Sequence, residues 1–478
     1  MVLDPDACFR AVRARDRRFD GRFFTAVAST GIYCRPICPV RPPKRENMRF
    51  FSSAAAAEGA GFRPCLRCRP ERAPGLAPID ATSRLVRAAI SGLEEYAVSN
   101  ARIADVAAAL GVSDRHLRRV TEAELGVSPV ELAQTQRLLL AKRLLSETSL
   151  KLTDIAFASG FGSVRRFNAL FKSRYGLNPR SLRRSIGSGR GLTCQLEFRP
   201  PLAFKELLAY LRLRAIPGVE SVDGTHYRRT VAIGETQGWI QVGLAKSALA
   251  LEVEMSPSLS PVVGAVIVRV KHLFDLGAAP DAVSDLLGQD PALADAVRRT
   301  PGLRVPGAFD GFELAVRAVL GQQVSVKAAT TMAGRWAERF GDPIATPFPE
   351  LHRLTPSAAH VLDVTADEIG ALGIVGSRAR CLAALARAVA DRRVVLSYAA
   401  NVEEQIGNLL ELPGIGPWTA QYIAMRALHW PDAFPDGDLM LRKAARSSLK
   451  ELNARAQRWR PWRAYAAHYL WQSLGVHR

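Results

Sequence analysis

The sequence lacks two features that would direct a protein to a membrane. No apolar run approaches the length of about 20 residues that a membrane-spanning helix needs. Residues 1–22 are rich in Arg and Asp and do not carry the apolar core of a secretory signal. Cysteine is also scarce, at seven among 478 residues. These absences predict a cytoplasmic protein without a membrane partner, whose cysteines are thiols or metal ligands and not disulfides.

Acidic residues are in deficit along the chain. It holds 65 Lys and Arg against 45 Asp and Glu, a formal charge of +20, with a pI near 10.2. Such a charge predicts a polyanionic partner, although charge alone leaves nucleic acid and an acidic membrane surface both open. Residues 1–190 hold 33 basic and 17 acidic residues, and residues 191–478 hold 32 and 28. At this length we expect about two to four domains, with the basic excess in the N-terminal part.

Four of the seven cysteines form two close pairs. Cys34 and Cys38 enclose three residues, and Cys65 and Cys68 enclose two. This spacing predicts one tetrahedral zinc site, with disulfide pairing or a small core of unpaired thiols as the alternatives. The segments around the pairs, TGIYCRPIC, KRENMRFF and GFRPCLRC, resemble the Ada-type N-terminal domain. That domain would span residues 1–75.

The Ada resemblance implies that one zinc ligand is also a reactant. In that family all four cysteines hold zinc, and the first one, matching Cys34, accepts the methyl group of a methyl phosphotriester in DNA. We hypothesise that methylation turns an anionic ligand into a neutral thioether, which weakens repulsion of the phosphate backbone. The hypothesis assigns a DNA-facing role, with an ordinary solvated basic surface as the alternative, to Arg35, Arg41, Lys44, Arg45 and Arg63.

The next segment contains two copies of a helix-turn-helix pattern, joined by a long helical pattern over residues 130–147. The copies are RIADVAAALGVSDRHLRRVTEAELGVSP and KLTDIAFASGFGSVRRFNALFKSRYGLNPRSLRR. Because the second copy fits the frame IAxxxGFxSxxxFxxxFKxxxGxxP, residues 80–186 resemble the AraC/XylS-type DNA-binding domain. The second helix of each copy should enter a major groove and serve bases or phosphates. The expected DNA contacts are Arg115, Arg118, Arg165, Arg166 and Asn168.

Residues 192–305 alternate in a way that predicts antiparallel strands with two helices, and they contain no cluster of nucleophiles, bases or metal ligands. The order of the elements resembles the small N-terminal α/β domain of AlkA-type enzymes. Tyr210 falls where that family has an aromatic residue near its base pocket. A position in the core is an equal alternative for Tyr210.

Residues 306–478 predict an all-helical domain that contains LPGIGPWTA. Pro413 ends one helix, Gly414 and Gly416 permit a tight turn, and Pro417 begins the next helix, whose free N–H groups can hold a phosphate. About twenty residues later Asp438 begins another helical pattern over residues 439–449. An ordinary helix N-cap is the alternative role for Asp438.

This segment resembles the helix-hairpin-helix and aspartate signature of DNA glycosylases, closest to the AlkA-type 3-methyladenine DNA glycosylase II. The resemblance implies that Asp438 is catalytic, that Trp418, Tyr422 and Trp471 line the base pocket, and that a monovalent cation binds the hairpin. In GQQVSV, Gln323 takes the position of the residue that enters the duplex, where an apolar residue is usual. Trp418 stands where related lyases have their Schiff-base lysine, which predicts an enzyme without lyase activity.

The predicted fold is multidomain and mostly α: a small zinc domain, a two-HTH helical domain, a small α/β domain with an antiparallel sheet, and an all-α helix-hairpin-helix glycosylase domain over residues 306–478. The predicted function combines excision of alkylated purines with methyl-dependent transcriptional activation. Its partners are damaged and operator double-stranded DNA, and RNA polymerase. One alternative is a sequence-specific regulator whose hairpin half is a catalytically silent DNA clamp. Another is an enzyme whose N-terminal half is only a zinc-stabilised tether to DNA, without methyl transfer or promoter selectivity. Since no PCHR-like motif occurs, the guanine-alkyl acceptor activity of longer Ada-type proteins is expected to be missing.

Overall fold

The computed structural model describes residues 3–75, 84–97, 102–183, 192–246 and 249–475. The chain forms two compact units. The first comprises Met1–Pro200, Ala245–Val268 and Leu276–Ala279, and the second comprises Pro201–Leu244, Arg269–Asp275 and Pro280–Arg478. Among the helices in the described ranges, none is both long and apolar enough to cross a bilayer.

The first unit begins with a small sheet that carries both cysteine pairs. Its elements are α1 (Pro5–Ala14), β1 (Phe24–Val27), β2 (Ile32–Cys34), β3 (Met48–Phe51), α2 (Ala54–Gly59) and β4 (Arg63–Pro64). The strand order is β3-β1-β2-β4, with β1 antiparallel to both β2 and β3. Strand β2 runs parallel to β4, with Tyr33 opposite Pro64. Cys34 follows Tyr33 in β2, and Cys65 follows Pro64 at the end of β4. The pairing therefore brings Cys34 beside Cys65.

The described residues that follow in the first unit form six α-helices. They are α3 (Arg84–Ala97), α4 (Ile103–Ala109), α5 (Asp114–Leu125), α6 (Pro129–Glu147), α7 (Leu152–Ala158) and α8 (Val164–Tyr175). Ser113 and Ser163 cap α5 and α8 by accepting the backbone N–H groups of His116 and Arg166. The pairs α4–α5 and α7–α8 are the two predicted helix-turn-helix units, and α6 joins them. The composition of APGLAPIDATS predicts a linker over residues 73–83, of which residues 76–83 lie outside the described residues.

The segment after residue 191 alternates strands and helices. It contains β5 (Leu192–Glu197), α9 (Phe204–Arg212), β6 (Glu220–Val222), β7 (His226–Ile233), β8 (Thr236–Leu244), β9 (Ala250–Met255) and α10 (Val263–Leu273). In the first unit β5 pairs antiparallel with β9 over six residue pairs. In the second unit β7 pairs antiparallel with both β6 and β8. The strand predictions are confirmed. The sequence pattern also predicts a helix over residues 204–214, and the corresponding helix α9 ends two residues earlier, at Arg212.

The rest of the second unit is helical. Its helices are α11 (Pro280–Leu287), α12 (Ala294–Arg299), α13 (Gly311–Leu320), α14 (Val326–Phe340), α15 (Ala366–Gly370), α16 (Gly376–Ala390), α17 (Val402–Leu410), α18 (Pro417–Arg426), α19 (Leu439–Ala445), α20 (Leu449–Ala456) and α21 (Arg463–Ser473). Apolar faces of α13, α14, α16 and α18 form one core cluster. This core holds the turn between α13 and α14 in the same part of the molecule as the hairpin of α17 and α18.

The helix predicted over residues 439–449 ends early, at Ala445, and residue 449 begins a separate helix, α20. Arg446 adopts a left-handed conformation with φ 49° and ends α19. Ser448 then caps α20 in a capping box, in which the Glu451 carboxylate accepts the Ser448 backbone N–H. The apolar periodicity continues across this break, which explains why periodicity alone did not show it.

Candidate functional sites

The four cysteines converge at one end of the small sheet. The backbone N–H of Arg35 donates to Sγ of Cys68 at 3.3 Å, and that of Arg67 donates to Sγ of Cys65 at 3.4 Å. The Sγ atoms of Cys34, Cys38, Cys65 and Cys68 all lie within 4.8 Å of one another. A zinc ion with Zn–S bonds of about 2.3 Å requires sulfurs separated by about 3.8 Å. The four sulfurs therefore fit tetrahedral zinc, and no bridge joins any of them.

Arg35 differs from its predicted role on the DNA-facing surface. Its side chain is 2% exposed and forms ion pairs with Asp20 and with Glu197, the latter at 2.6 Å. It also donates to the backbone oxygen of Cys68 at 3.1 Å. The guanidinium therefore cannot reach a phosphate, and the prediction for Arg35 is wrong. A buried arginine has to pair with carboxylates, and those at positions 20 and 197 carried no local signal of such a contact.

Helix α6 supports the cysteine cluster from within the first unit. The Lys142 ammonium group donates to the backbone oxygen of Cys65 at 3.3 Å and pairs with the buried Glu71 carboxylate. Glu58 on α2 forms a second buried link, because it accepts hydrogen bonds from Tyr33 at 2.9 Å and from Thr135 at 3.0 Å. Tyr33 precedes Cys34 on β2, and Thr135 lies on α6. The helix that joins the two helix-turn-helix units is thus bonded to the scaffold of the cysteine site.

Glu58 gives this link a measurable pH dependence. Burial raises the pKa of Glu58 to about 7, against the opposing hydrogen bonds from Tyr33 and Thr135. The folded state then binds the Glu58 proton more tightly than the unfolded chain does, so stability falls as pH rises from about 4.5 to about 7. The loss amounts to about 3 kcal/mol. We expect Glu58→Gln to remove this part of the pH dependence and to be less destabilised than the native chain at alkaline pH.

The midpoint of denaturant-induced zinc release, measured from acidic to alkaline pH, would report this difference. Glu46→Gln is the matched control, since the Glu46 side chain is 72% exposed and should leave the pH profile unchanged. Identical pH profiles for the native chain and Glu58→Gln would show that this carboxyl does not titrate within the window.

The predicted DNA-contact residues of the first unit lie on its surface. On α5 and α8, Asn168 is half-buried, and the other predicted contact residues are exposed. The exposed residues are Arg115, Arg118, Arg165 and Arg166. Arg118 pairs with Glu122 one turn later at 2.9 Å. Near the cysteine cluster, Arg41 is exposed, while the Arg45 guanidinium lies over the rings of Phe9 and Phe50. The sequence pattern also places five apolar residues on the opposite faces of α5 and α8. Of these, Leu117, Phe167 and Phe171 are buried, whereas Val120 and Leu170 are half-buried.

The hairpin in the second unit has the predicted turn between α17 and α18. Gly414 has φ +86°, a backbone conformation that favours glycine, and a Cβ there would lie close to Cβ of Cys381, at 3.2 Å. Gly416, at the N-cap of α18, has φ −95° and open space around it. The protein itself therefore does not require glycine at position 416. The turn leaves the N-terminal N–H groups of the ten-residue α18 open to an anion.

Residues 321–325 form the turn between α13 and α14, the wedge turn. This turn lies against the hairpin. Gln323 is exposed and has a left-handed backbone with φ +52°. Its neighbour Val324 is 37% exposed and supplies an apolar side chain beside it. Gln322 instead points inwards, and its side-chain nitrogen donates to the backbone oxygen of Gly414 at 2.8 Å. Sequence reasoning singled out Gln323 and missed Gln322.

Asp438 is the N-cap of α19, and its Oδ1 accepts the backbone N–H of Leu441 at 2.9 Å. Asp438 therefore caps α19, but its carboxylate also accepts hydrogen bonds from outside this helix. The Trp418 indole N–H donates to Oδ2 at 2.9 Å, and the Trp471 indole N–H donates to Oδ1 at 3.3 Å. Three donors hold the half-buried carboxylate in one orientation, which an ordinary helix cap does not need.

Aromatic rings extend away from this carboxylate. Trp418 and Tyr422, one turn apart on α18, stack with ring centroids 5.3 Å apart and planes 7° apart. Trp471 meets Tyr422 at a steep angle, with centroids 6.4 Å apart. Trp471 is buried, whereas Trp418 and Tyr422 are half-buried. The structure thus brings together Trp418, Tyr422, Trp471 and Asp438, as the sequence predicted.

Tyr210 joins this cluster from α9, but it lies in the core. Its hydroxyl is 3.2 Å from that of Tyr422, and Arg426 donates to both hydroxyls, at 2.6 Å and 2.8 Å. Burial raises the pKa of Tyr210 to about 12. Burial also acts against ionisation of Tyr422, but the charges of Arg426 and Arg214 outweigh it and lower the pKa of Tyr422 to about 8. Sequence reasoning missed Arg426, although its position four residues after Tyr422 places both on one face of α18.

Four family models match successive segments of the chain. The metal binding domain of Ada matches residues 7–71, and a helix-turn-helix domain matches residues 106–185. The AlkA N-terminal domain matches residues 193–310. The HhH-GPD superfamily base excision DNA repair protein model matches residues 316–454, which include the hairpin and Asp438.

Similar proteins extend these matches. A Mycobacterium tuberculosis protein named "Probable bifunctional transcriptional activator/DNA repair enzyme AlkA" is 38% identical over 484 residues, covering 98% of this chain and 97% of its own length. DNA-3-methyladenine glycosylase 2 of Escherichia coli K12 is 34% identical over 281 residues, covering 59% of this chain and 97% of its own length. The solved 3-methyladenine DNA-glycosylase from Archaeoglobus fulgidus has a TM-score of 0.51 and 19% identity, covering 59% of this chain and 98% of that chain. The last likeness concerns the fold alone.

Proposed function

The chain belongs to the family of bifunctional transcriptional activator/DNA repair enzymes of the AlkA type, and from this premise we propose that it acts at two chemical sites on damaged DNA. It excises alkylated purines of the 3-methyladenine type at Asp438. It also accepts the methyl group of DNA methylphosphotriesters on Cys34, which makes it a transcriptional activator. Two indole N–H groups converge on Asp438 beside stacked aromatic rings, and this observation supports the proposed excision activity.

Excision begins with extrusion of the damaged nucleotide. The alkylated purine is cationic, so it is a good leaving group and is attracted to the aromatic faces of Trp418 and Tyr422. As the glycosidic bond breaks, its electron pair leaves with the base and positive charge develops on the sugar. Asp438, held by its three N–H donors, stabilises that oxocarbenium charge. Water then adds to the anomeric carbon and loses its proton to solvent.

The hairpin holds the duplex during this reaction. The N-terminal N–H groups of α18 bind a backbone phosphate, and the absence of a side chain at Gly416 lets that phosphate approach the helix. Gln323 projects from the wedge turn and fills the space that the base leaves. The monovalent cation that the resemblance implies at the hairpin remains a prediction.

Methyl transfer takes place at the four-cysteine site. Sγ of Cys34 attacks the methyl carbon of the phosphotriester, and the carbon–oxygen bond breaks with its electron pair going to the phosphate, which leaves as an ordinary diester. The product is a thioether, so each protein molecule reacts once. Bound zinc would hold the four sulfurs as thiolates, the nucleophilic form. The loss of one negative charge at Cys34 then favours binding of the phosphate backbone.

The two helix-turn-helix units give the methylated protein its place on DNA. The exposed arginines of α5 and α8 face the grooves. The contacts of α6 with the scaffold of the cysteine site connect the methyl-accepting site to the helix-turn-helix units. We further propose that the activator contacts RNA polymerase and acts in the cytoplasm. The family-model ranges support four domains over residues 1–75, 80–186, 192–305 and 306–478, although the compact units divide the third between them.

The excision activity is proposed to be monofunctional, because the position of the lyase lysine is held by Trp418. The Trp418 indole N–H donates a hydrogen bond to Asp438. The indole side chain has no amine that could form an imine with the sugar. Borohydride reduction during turnover on damaged duplex is therefore expected to trap no covalent enzyme–DNA adduct, while free base is still released. A lyase of the same superfamily serves as the positive control. A trapped adduct would show that another amine of this chain reaches the sugar.

The sensor activity is tested by DNA binding before and after methylation. After incubation with methylphosphotriester-containing DNA, the modified protein is expected to bind undamaged duplex more tightly than the unmodified protein. The gain should shrink as salt is raised, because it comes from removed charge repulsion. Equal affinities before and after methyl transfer would contradict the charge mechanism while leaving base excision untouched.

A further inference from the structure

We infer that Gln322 positions the wedge turn on the hairpin, so that the residue entering the duplex and the loop holding its backbone move as one unit. The inference rests on the proposed excision function. Gln322 acts through the two DNA-binding segments and is a positioning residue, because its half-buried side chain is bonded to the hairpin, whereas Gln323 is exposed.

The contacts of the Gln322 side chain fix its orientation. Its amide nitrogen donates to the backbone oxygen of Gly414 at 2.8 Å and to Oγ1 of Thr419 at 3.0 Å. A backbone carbonyl can only accept, so the amide nitrogen and not the amide oxygen has to face Gly414. Gly414 lies in the hairpin turn, and Thr419 lies in the first turn of α18. One side chain therefore bonds both parts of the phosphate-binding segment.

Helix α16 supplies a common base for both segments. The Arg378 guanidinium donates a hydrogen bond to the backbone oxygen of Gln322, which anchors the wedge turn on α16. Three residues later Cys381 contacts the hairpin, since a Cβ at Gly414 would lie 3.2 Å from Cβ of Cys381. The wedge turn and the hairpin are thus held by neighbouring residues of one helix and by Gln322 between them.

The backbone conformation explains why such a tie is needed. Gln323 has φ +52° and Gly414 has φ +86°, so the two segments meet at two left-handed positions. This conformation is unfavourable for glutamine, and within the described part of the chain the exposed side chain of Gln323 forms no hydrogen bond that would hold it. The bond from Gln322 to Gly414 joins these two positions directly. Its loss should let the wedge turn relax and withdraw Gln323 from the duplex.

The test combines Gln322→Met, which keeps the length of the side chain but removes its donors, with Thr419→Val, which removes one acceptor. Three quantities are measured: single-turnover release of alkylated purine, the fluorescence change of 2-aminopurine placed beside an abasic-site analogue, and affinity for undamaged duplex. Because a misplacement of about 1 Å costs up to about 100-fold in rate, we expect Gln322→Met to slow release by about 10-fold or more. The fluorescence change should shrink in parallel, while affinity for undamaged duplex stays within about twofold because the N–H groups of α18 remain.

The double variant separates positioning from general destabilisation. If the two side chains act through one bond, Gln322→Met/Thr419→Val should be no slower than Gln322→Met alone. Effects that multiply in the double variant would overturn the inference, and so would a native fluorescence change in Gln322→Met or an equal loss of affinity for undamaged duplex. If the native chain released no base but Gln322→Met still reduced the fluorescence change, the proposed excision would fail and the positioning role would stand.

Discussion

Replacement of Asp438 by Asn is expected to slow release of alkylated purines by on the order of 10³-fold, while binding of damaged duplex is retained. The substitution removes the negative charge that stabilises the oxocarbenium-like sugar and changes the shape of the side chain very little. A factor of about 10³ corresponds to about 4 kcal/mol of transition-state stabilisation. Single-turnover kinetics on a duplex that contains one alkylated purine would measure the effect without interference from product release.

The structure also predicts what Asp438→Asn does to the fold. Asn is as good an N-cap as Asp, so α19 is retained. The new amide group leaves one of the two indole N–H donors without its acceptor, which costs about 1–3 kcal/mol of stability. Asp436→Asn is the matched control, because Asp436 lies two residues earlier and its carboxylate accepts a hydrogen bond from the Asn453 side chain at 3.0 Å, not from an indole. Loss of excision in Asp436→Asn, with normal excision in Asp438→Asn, would reverse the assignment.

Replacement of Cys34 by Ala is expected to abolish methyl transfer from DNA to protein. The substitution removes the proposed nucleophile and leaves three sulfurs of the zinc site, so zinc affinity should fall as well. Mass measurement of the protein after incubation with methylphosphotriester-containing DNA would give the result. The native chain should gain one methyl group, and Cys34→Ala should gain none.

Two further cysteine variants make this result specific. Cys8 is buried, and burial raises the pKa of its thiol to about 11, so Cys8→Ala should gain the methyl group as the native chain does. Cys38→Ser removes a different zinc ligand and keeps Cys34. Methyl gain in Cys34→Ala, located by peptide mapping on Cys38, would show that the acceptor is the other half-exposed cysteine of the cluster.

The sequence predicted those parts of the molecule that depend on local patterns. The cysteine spacing and the glycine–proline turn before α18 each carry their signal within a few residues. The resemblance placed Trp418, Tyr422, Trp471 and Asp438 in one site, and the structure shows these side chains in contact. The catalytic role of Asp438 and the acceptor role of Cys34 remain proposals.

The parts that could not be predicted depend on contacts between distant segments. Arg35 lies in a basic-looking sequence, yet it is buried because Asp20 and Glu197 fold against it. Arg426 and Gln322 gain their roles from backbone oxygens of Gly307 and Gly414, more than 90 residues away in each case. The break between α19 and α20 depends on the backbone of Arg446, which apolar periodicity does not report. Sequence patterns describe which faces are apolar, but not which polar partners meet.

A single assay tests whether one chain carries two separable reactions on methylated DNA. One methylated duplex is incubated with the native chain, with Asp438→Asn and with Cys34→Ala, and both released alkylpurine and methyl gain of the protein are measured. The native chain is expected to give both products, Asp438→Asn methyl gain alone, and Cys34→Ala base release alone. Native methyl gain without any base release would instead identify the hairpin half as a silent DNA clamp and contradict the proposed excision.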